Sequence, residues 1–223
     1  MDILDEIYDA IIDGKTDIVV SKIKEALENN IQPDIIMKEG LISGLDEVGR
    51  LYEEGTFFVP EMLIAARTTQ AALKDLRPYL VKQGVKPAGK IAIGTVQGDL
   101  HDIGKSIVAM MFESSGFEIV DLGVDVKPEN FISSINDGAQ IIALSALLTT
   151  TMTNIKTTIE SIEKAGLRDR VIIMVGGAPV TEEFAVEVGA DGFALDAPSA
   201  VRKARELIGA KSISTPTIGR NNE

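Results

Sequence analysis

His101 is the only histidine in this chain of 223 residues, and it stands within Gly98-Asp99-Leu100-His101-Asp102-Ile103-Gly104. An imidazole can bind a metal through one ring nitrogen while the other donates a hydrogen bond to a carboxylate. The spacing Asp99-x-His101-x-x-Gly104 supplies both partners: Asp99 to hold the ring and raise its basicity, and Gly104 to let a bulky group approach the backbone. A blander arrangement also fits these residues, with Asp99 capping a helix and His101 on the surface. Gly104-Lys105-Ser106 resembles the end of a phosphate loop, but five residues separate Gly98 from Gly104, where that loop has four between its first glycine and the Gly-Lys pair. Asp99 and Asp102 would also put negative charge where a phosphate needs positive potential, which argues against nucleotide hydrolysis.

These residues need elements to position them. Lys90 to Val96 is a short, apolar, β-branched run that reads as a strand, and Ile103, Ile107, Val108 and Met111 follow at helical spacing. The motif therefore falls where a strand ends and a helix begins, and ligands of open α/β sheets bind at that carboxyl edge. Two further strand exits carry small or hydroxyl residues. Ser145-Ala146-Leu147 follows Ile141-Ile142-Ala143-Leu144, and Gly176-Gly177 follows Val171-Ile172-Ile173-Met174-Val175.

The chain changes grammar near its middle. Ile3, Leu4, Ile7 and Ile11 form one helical stripe, and Ile18, Ile23 and Leu27 begin a second. Pro33 opens a third helix through Ile36, Leu41, Leu45, Val48 and Leu51, and Pro60 a fourth through Met62, Leu63, Ala66 and Leu73. Residues 1–83 thus read as a four-helix bundle, and Gly84 to Gly89 as a linker. Residues 90–210 read as an α/β domain with strands near 90–96, 117–122, 140–145, 171–175 and 192–195. Helices between them start near Ile103, Pro128, Thr151, Thr181 and Pro198. Such alternation implies a parallel sheet covered by helices. Lys211 to Glu223 is polar and aperiodic, and is expected to be a tail.

Composition narrows the function. The chain has no cysteine, so any protein metal site must use His101 or oxygen ligands, and an intracellular, cytoplasmic setting is the simpler expectation. A formal charge of −12 opposes broad attraction to nucleic acid or anionic lipid. No run approaches membrane-spanning length, and the acidic N-terminus is unlike a signal peptide.

With Asp99-x-His101-x-x-Gly104, Ser145-x-Leu147 and Gly176-Gly177 in order, together with Gly116-Phe117-Glu118 and Asp121-Leu122-Gly123, the chain resembles the cobalamin-binding family of methionine synthase and the corrinoid proteins of methyltransferase systems. The resemblance covers nearly the whole length. Its helical half matches through Val48 to Gly55 and Phe57 to Met62.

That family implies an α/β protein with an N-terminal four-helix cap and a Rossmann-like (flavodoxin-like) doubly wound five-stranded parallel sheet. It also implies a cobalamin or related corrinoid cofactor cycling between cob(I)alamin and methylcobalamin, with His101 as lower cobalt ligand in place of the cofactor's benzimidazole. The displaced nucleotide tail would run in a channel lined by Ser145, Leu147, Gly176 and Gly177, with Asp102, Ile103 and Thr149 as further contacts. Thr151 stands where methionine synthase has a serine, which implies a proton relay of Asp99, His101 and Thr151. Tyr52 and Val59 match the residues that cover the upper cobalt face; taken singly, Tyr52, Phe57, Phe58 and Val59 fit ordinary packing between bundle helices better, and it is the sequence context that singles out Tyr52 and Val59. The cap must move aside during turnover, with Gly84 to Gly89 as the expected hinge.

The implied function is a methyl carrier between a substrate-specific methyltransferase and an acceptor-side methyltransferase using tetrahydrofolate or a thiol, with a reductive activase as a further partner. The carrier is a component of such a system rather than a complete enzyme. The alternatives are a cobalamin-dependent sensor and the cofactor subunit of an adenosylcobalamin mutase.

Overall fold

In a computed structural model, residues 2–214 are described, with side chains through Ala210. The helical half contains α1 (Ile3–Ile12), α2 (Thr16–Glu28), the short α3 (Pro33–Ile35), α4 (Ser43–Glu53) and α5 (Val59–Lys82). The stripe anchored by Pro33 is one continuous helical path, but Ile36–Ile42 is π-helical between α3 and α4. The five-residue step between the buried Ile36 and Leu41 fits the wider i→i+5 turn, but one such step does not by itself set a π segment apart from an α-helical stripe. Within that segment Gly40 lies against Ile7, where an added Cβ would fall 2.9 Å from the Ile7 methyl. Gly44, at the start of α4, meets Ile11 in the same way.

The second half alternates β1 (Lys90–Thr95), α6 (Ile103–Ser114), β2 (Glu118–Asp121), α7 (Pro128–Asn136), β3 (Ile141–Ser145), α8 (Thr153–Lys164), β4 (Ile172–Gly176), α9 (Glu182–Glu187), β5 (Gly192–Phe193) and α10 (Ala197–Ser214). All neighbouring strands pair parallel in the order β2-β1-β3-β4-β5. This is the flavodoxin-like order, whose switch point lies between β1 and β3. Most strand and helix boundaries fall within one or two residues of the sequence expectation. β5 is shorter than residues 192–195, and α8 begins at Thr153 because Thr149 to Met152 form turns. Helix α10 runs through Lys211 to Ser214, so the expected tail boundary lies inside a helix; residues 215–223 lie outside the described residues.

Strand alternation divides the core in two. Ile91, Ile93, Ile141, Ala143, Ile172 and Met174 face a core shared with α6, α10 and the helical half. Ala92, Ile142, Leu144, Ile173 and Val175 face the opposite side, beneath α7 and α8. The helical half therefore packs on the α/β half without a polar layer throughout. Ser114 donates to the Ala66 carbonyl at 3.0 Å across this junction, and Arg202 and Arg205 of α10 pair with Glu53 and Asp46 of α4 at 2.6 and 2.9 Å. No helix among the described residues is long and apolar enough to cross a membrane.

The segment between the halves is tied at both ends. Gly84, with φ of 73°, closes α5 and the Val85 N–H donates back to the Leu80 carbonyl at 3.0 Å, while Ala88 donates to the Gly116 carbonyl at 3.0 Å and Gly89 accepts from Glu118 at 2.9 Å.

Candidate functional site: a histidine beneath the helical cap

Register brings the three strand exits together. Thr95 pairs with Ser145, and Ser145 with Gly176, so the loop carrying His101, the Ser145 turn and the glycine pair are neighbours on the carboxyl edge. The loop itself is pinned from several sides. The Thr95 hydroxyl donates to the His101 carbonyl at 2.8 Å, and Asn154 of α8 donates to the Gln97 carbonyl at 2.7 Å.

Asp99 is the centre of the site and is fully buried. Its Oδ1 lies 2.7 Å from His101 Nδ1 and accepts from the His101 backbone N–H at 3.1 Å. Its Oδ2 accepts from the Leu147 N–H at 2.8 Å and from the Thr151 hydroxyl at 2.6 Å. Burial, the largest single influence on this carboxyl, opposes ionisation. The hydrogen bonds from Thr151, Leu147 and His101 outweigh it and hold the group well below the usual carboxylate range. An ionised carboxylate only accepts, so a neutral His101 must carry its proton on Nδ1 and present the Nε2 lone pair. The His101 side chain is 49% exposed, and Nε2 has no hydrogen-bond partner among the described residues.

The histidine lines a cavity of about 370 Å³ between the sheet edge and the helical half. Tyr52, at the end of α4, and Val59, at the start of α5, line the same space, as do Gly104, Ser145, Leu147, Gly176 and Gly177. The sequence-predicted residues are thus largely brought together, and Thr151 reaches the histidine through Asp99. Asp102, Ile103 and Thr149 are exposed and lie outside the lining.

The glycines show whether a large planar group fits. A Cβ on Gly104 would meet nothing within 4 Å, so packing within the protein does not require glycine there; the space it leaves belongs to the cavity. Gly177 is different. It has φ of 121°, and a Cβ would fall 1.9 Å from the Ala146 carbonyl oxygen, so the β3 and β4 exits touch only because the side chain is absent. An apolar-lined cavity with an imidazole at its base and a smooth glycine edge fits a corrinoid.

Sequence reasoning set Lys105 aside with the phosphate loop, yet its side chain is nearly buried, lines the cavity, and holds both Asp121 oxygens at 2.6 Å. Only its position one helical turn after His101 could have signalled this.

Replacing Asp99 with alanine should destabilise the corrinoid-free protein by about 2 kcal/mol, because the Leu147 N–H and Thr151 hydroxyl lose a charged acceptor in a buried place. Urea unfolding measures this, and an unchanged midpoint would contradict it.

The two halves each match a family model described as "B12 binding domain", over residues 3–77 and 89–205. A corrinoid protein of Desulfitobacterium hafniense (strain Y51) is 40% identical over 94% of this chain and 99% of its own length. The dimethylamine corrinoid protein of Methanosarcina barkeri is 44% identical over 93% and 98%. Among solved structures, a cobalamin-binding protein from D. hafniense DCB-2 superposes with TM-score 0.80 at 30% identity, covering 92% of this chain and 98% of that one. The methanol:cobalamin methyltransferase complex of M. barkeri gives 0.79 at 27% identity, covering 93% and 80%. Motif, cavity and likeness over nearly full length converge: the chain belongs to the B12-binding corrinoid proteins of methyltransferase systems, and its cofactor is cobalamin or a related corrinoid.

Proposed function

We propose that this protein is a methyl carrier that holds its corrinoid with His101 as lower cobalt ligand and serves two methyltransferases in turn, in the cytoplasm. The observation that carries this reading is the buried Asp99 joined to both His101 and Thr151, with the free imidazole nitrogen beside a cavity roofed by Tyr52 and Val59. A bound corrinoid supplies a cobalt able to take up and release a methyl group.

The chain's own residues do the rest. Asp99 fixes the imidazole tautomer and strengthens it as a ligand, and Thr151 anchors the carboxylate from behind. Ser145, Leu147, Gly176 and Gly177 form the edge along which the cofactor's nucleotide tail would lie. Asp102, Ile103 and Thr149 form an exposed rim outside the cavity. Tyr52 and Val59, which line the cavity, would keep water from a bound corrinoid, and the cap would have to swing aside on the segment from Gly84 to Gly89 to admit a partner.

Likeness to the dimethylamine and trimethylamine corrinoid proteins favours a methylated amine as primary donor. The donor-side partner is then an amine-specific methyltransferase, and the acceptor side a second methyltransferase using a thiol or tetrahydrofolate, with a reductive activase restoring oxidised protein.

The test is to reconstitute the protein with cobalamin, reduce it, and supply isotopically labelled dimethylamine or trimethylamine with the matching methyltransferase. Label should appear on the corrinoid and pass to the acceptor when the second enzyme is added. Absence of label with every amine tried would overturn the amine assignment, and its absence with methanol as well would overturn the carrier role.

Gly104→Leu offers a separate check. A Cβ is sterically free there and glycine is the poorer helix former, so the corrinoid-free protein should gain about 0.5 kcal/mol. Corrinoid uptake should nevertheless fall by about tenfold or more, since the side chain occupies the cofactor's space. Unimpaired uptake in a titration would place the corrin elsewhere.

A further inference from the structure

Edge strand β2 and the turn after it carry two carboxylates, Asp121 at the strand's end and Asp125 beyond it, that grip the His101 loop at opposite ends. Asp125, one of only two non-glycine residues with positive φ among those described, sits at φ of 52°. From there its Oδ1 accepts from the Gly98 N–H at 2.7 Å, while its own N–H donates to the Asp99 carbonyl at 3.0 Å. Asp121 holds the other end. It receives the Lys105 ammonium on both oxygens at 2.6 Å and the Gly123 N–H at 2.9 Å. Lys105 lies in the first turn of α6, directly after the loop.

We propose that Asp121 and Asp125 are positioning residues for His101, clamping the loop from Gly98 to Lys105 between them so that the imidazole stays aimed into the cavity. The need for such a clamp follows from the loop's composition. Leu100, His101, Asp102, Ile103 and Gly104 are all exposed, so packing does not fix them. Gly98, at φ of 82°, adds backbone freedom at the loop's entry. A histidine ligand misplaced by an ångström loses its metal bond, and the backbone must therefore be held by hydrogen bonds.

The left-handed conformation explains the residue type at 125. Aspartate and asparagine tolerate this region better than other side chains with a Cβ, and both offer an Oδ1 acceptor. Asparagine should therefore substitute at 125, whereas glycine should keep the backbone but lose the grip on Gly98. At 121 the carboxylate also neutralises a nearly buried ammonium, so asparagine should not suffice there.

The inference rests on His101 being the cobalt ligand, and the experiment separates the two. Wild type, Asp125→Asn, Asp125→Gly, Asp121→Asn and His101→Ala are grown with isotopically labelled histidine, saturated with cobalamin and reduced to cobalt(II). The axial nitrogen splitting in electron paramagnetic resonance then reports the ratio of histidine-ligated to other cobalt.

That ratio should fall by about tenfold in Asp125→Gly and Asp121→Asn and stay within about twofold of wild type in Asp125→Asn. Wild-type ratios in Asp125→Gly and Asp121→Asn, with the signal lost in His101→Ala, would overturn the clamp and leave ligation standing. Equal damage in Asp125→Asn and Asp125→Gly would also overturn the role given to Oδ1. Should wild type itself lack the histidine signal, the ligation reading fails, and amide exchange in corrinoid-free protein decides the clamp. Gly98 and His101 N–H groups should exchange about tenfold faster in Asp125→Gly, and unchanged rates would refute it.

Discussion

In His101→Ala protein, the cobalt(II) form should show no splitting from labelled histidine, and methyl transfer should fall by at least about 100-fold. The expectation follows from the division of work at the site. The imidazole is half exposed and contributes few contacts to the core, so its loss should leave the urea midpoint nearly unchanged. The cavity walls at Ser145, Leu147 and the glycine pair do not depend on the ring, so corrinoid uptake should persist in weakened form. Asp99 keeps its bonds from Leu147 and Thr151 and remains a buried acceptor with no ring to orient. The combination of retained fold, retained corrinoid and lost axial nitrogen marks a ligand rather than a structural residue. A wild-type nitrogen signal in this variant would remove His101 from the metal site altogether.

Gly177→Ala should act through the scaffold instead. The new methyl would fall 1.9 Å from the Ala146 carbonyl oxygen and 2.9 Å from its carbon, on a residue with φ of 121° that side chains rarely adopt. Because the obstacle is backbone, no rotamer can relieve it, and the β3 and β4 exits must separate. Backbone strain of 1–3 kcal/mol and overpacking of similar size together predict a loss of about 3 kcal/mol or more. Ala146 is fully buried and its N–H donates to the Gly176 carbonyl at 3.2 Å, so the displacement would reach the ladder and the cavity wall. Urea unfolding and cobalamin titration should both show the damage, with an unchanged midpoint counting against it. Gly104→Leu makes the counter-case, since there the free protein tolerates the side chain and only uptake suffers.

Those two glycines also show how far a sequence can be read. The sequence marks Gly104 as a site of close approach and Gly177 as a small residue at a strand exit, but which one serves the backbone and which the ligand depends on what lies opposite each. Ala146 faces Gly177 across paired strands, and nothing faces Gly104. Similarly, Asp99 and His101 announce themselves by a spacing of two residues, whereas the positioning suggested for Asp121 and Asp125 has no local signature. Those aspartates meet the loop through parallel pairing of β1 with β2, a relation carried by the crossover through α6. The π-helical segment Ile36–Ile42 also had no clear local mark; Gly40 within it and Gly44 just after it lie against Ile7 and Ile11 of α1, partners that are distant in sequence.

What the amino-acid order determined by itself is whatever depends on neighbours along the chain: the change from helical to alternating periodicity, the strand exits, and an imidazole two residues from a carboxylate. Only the tertiary structure decided that Thr95, Ser145 and Gly176 stand side by side, that Thr151 closes on Asp99, and that Tyr52 and Val59 line the same cavity as the histidine. The physical reason is range. Periodicity and capping act over a turn or a pleat, while a cavity is formed by surfaces far apart in sequence whose meeting is set by strand order and by the shared core beneath the cap.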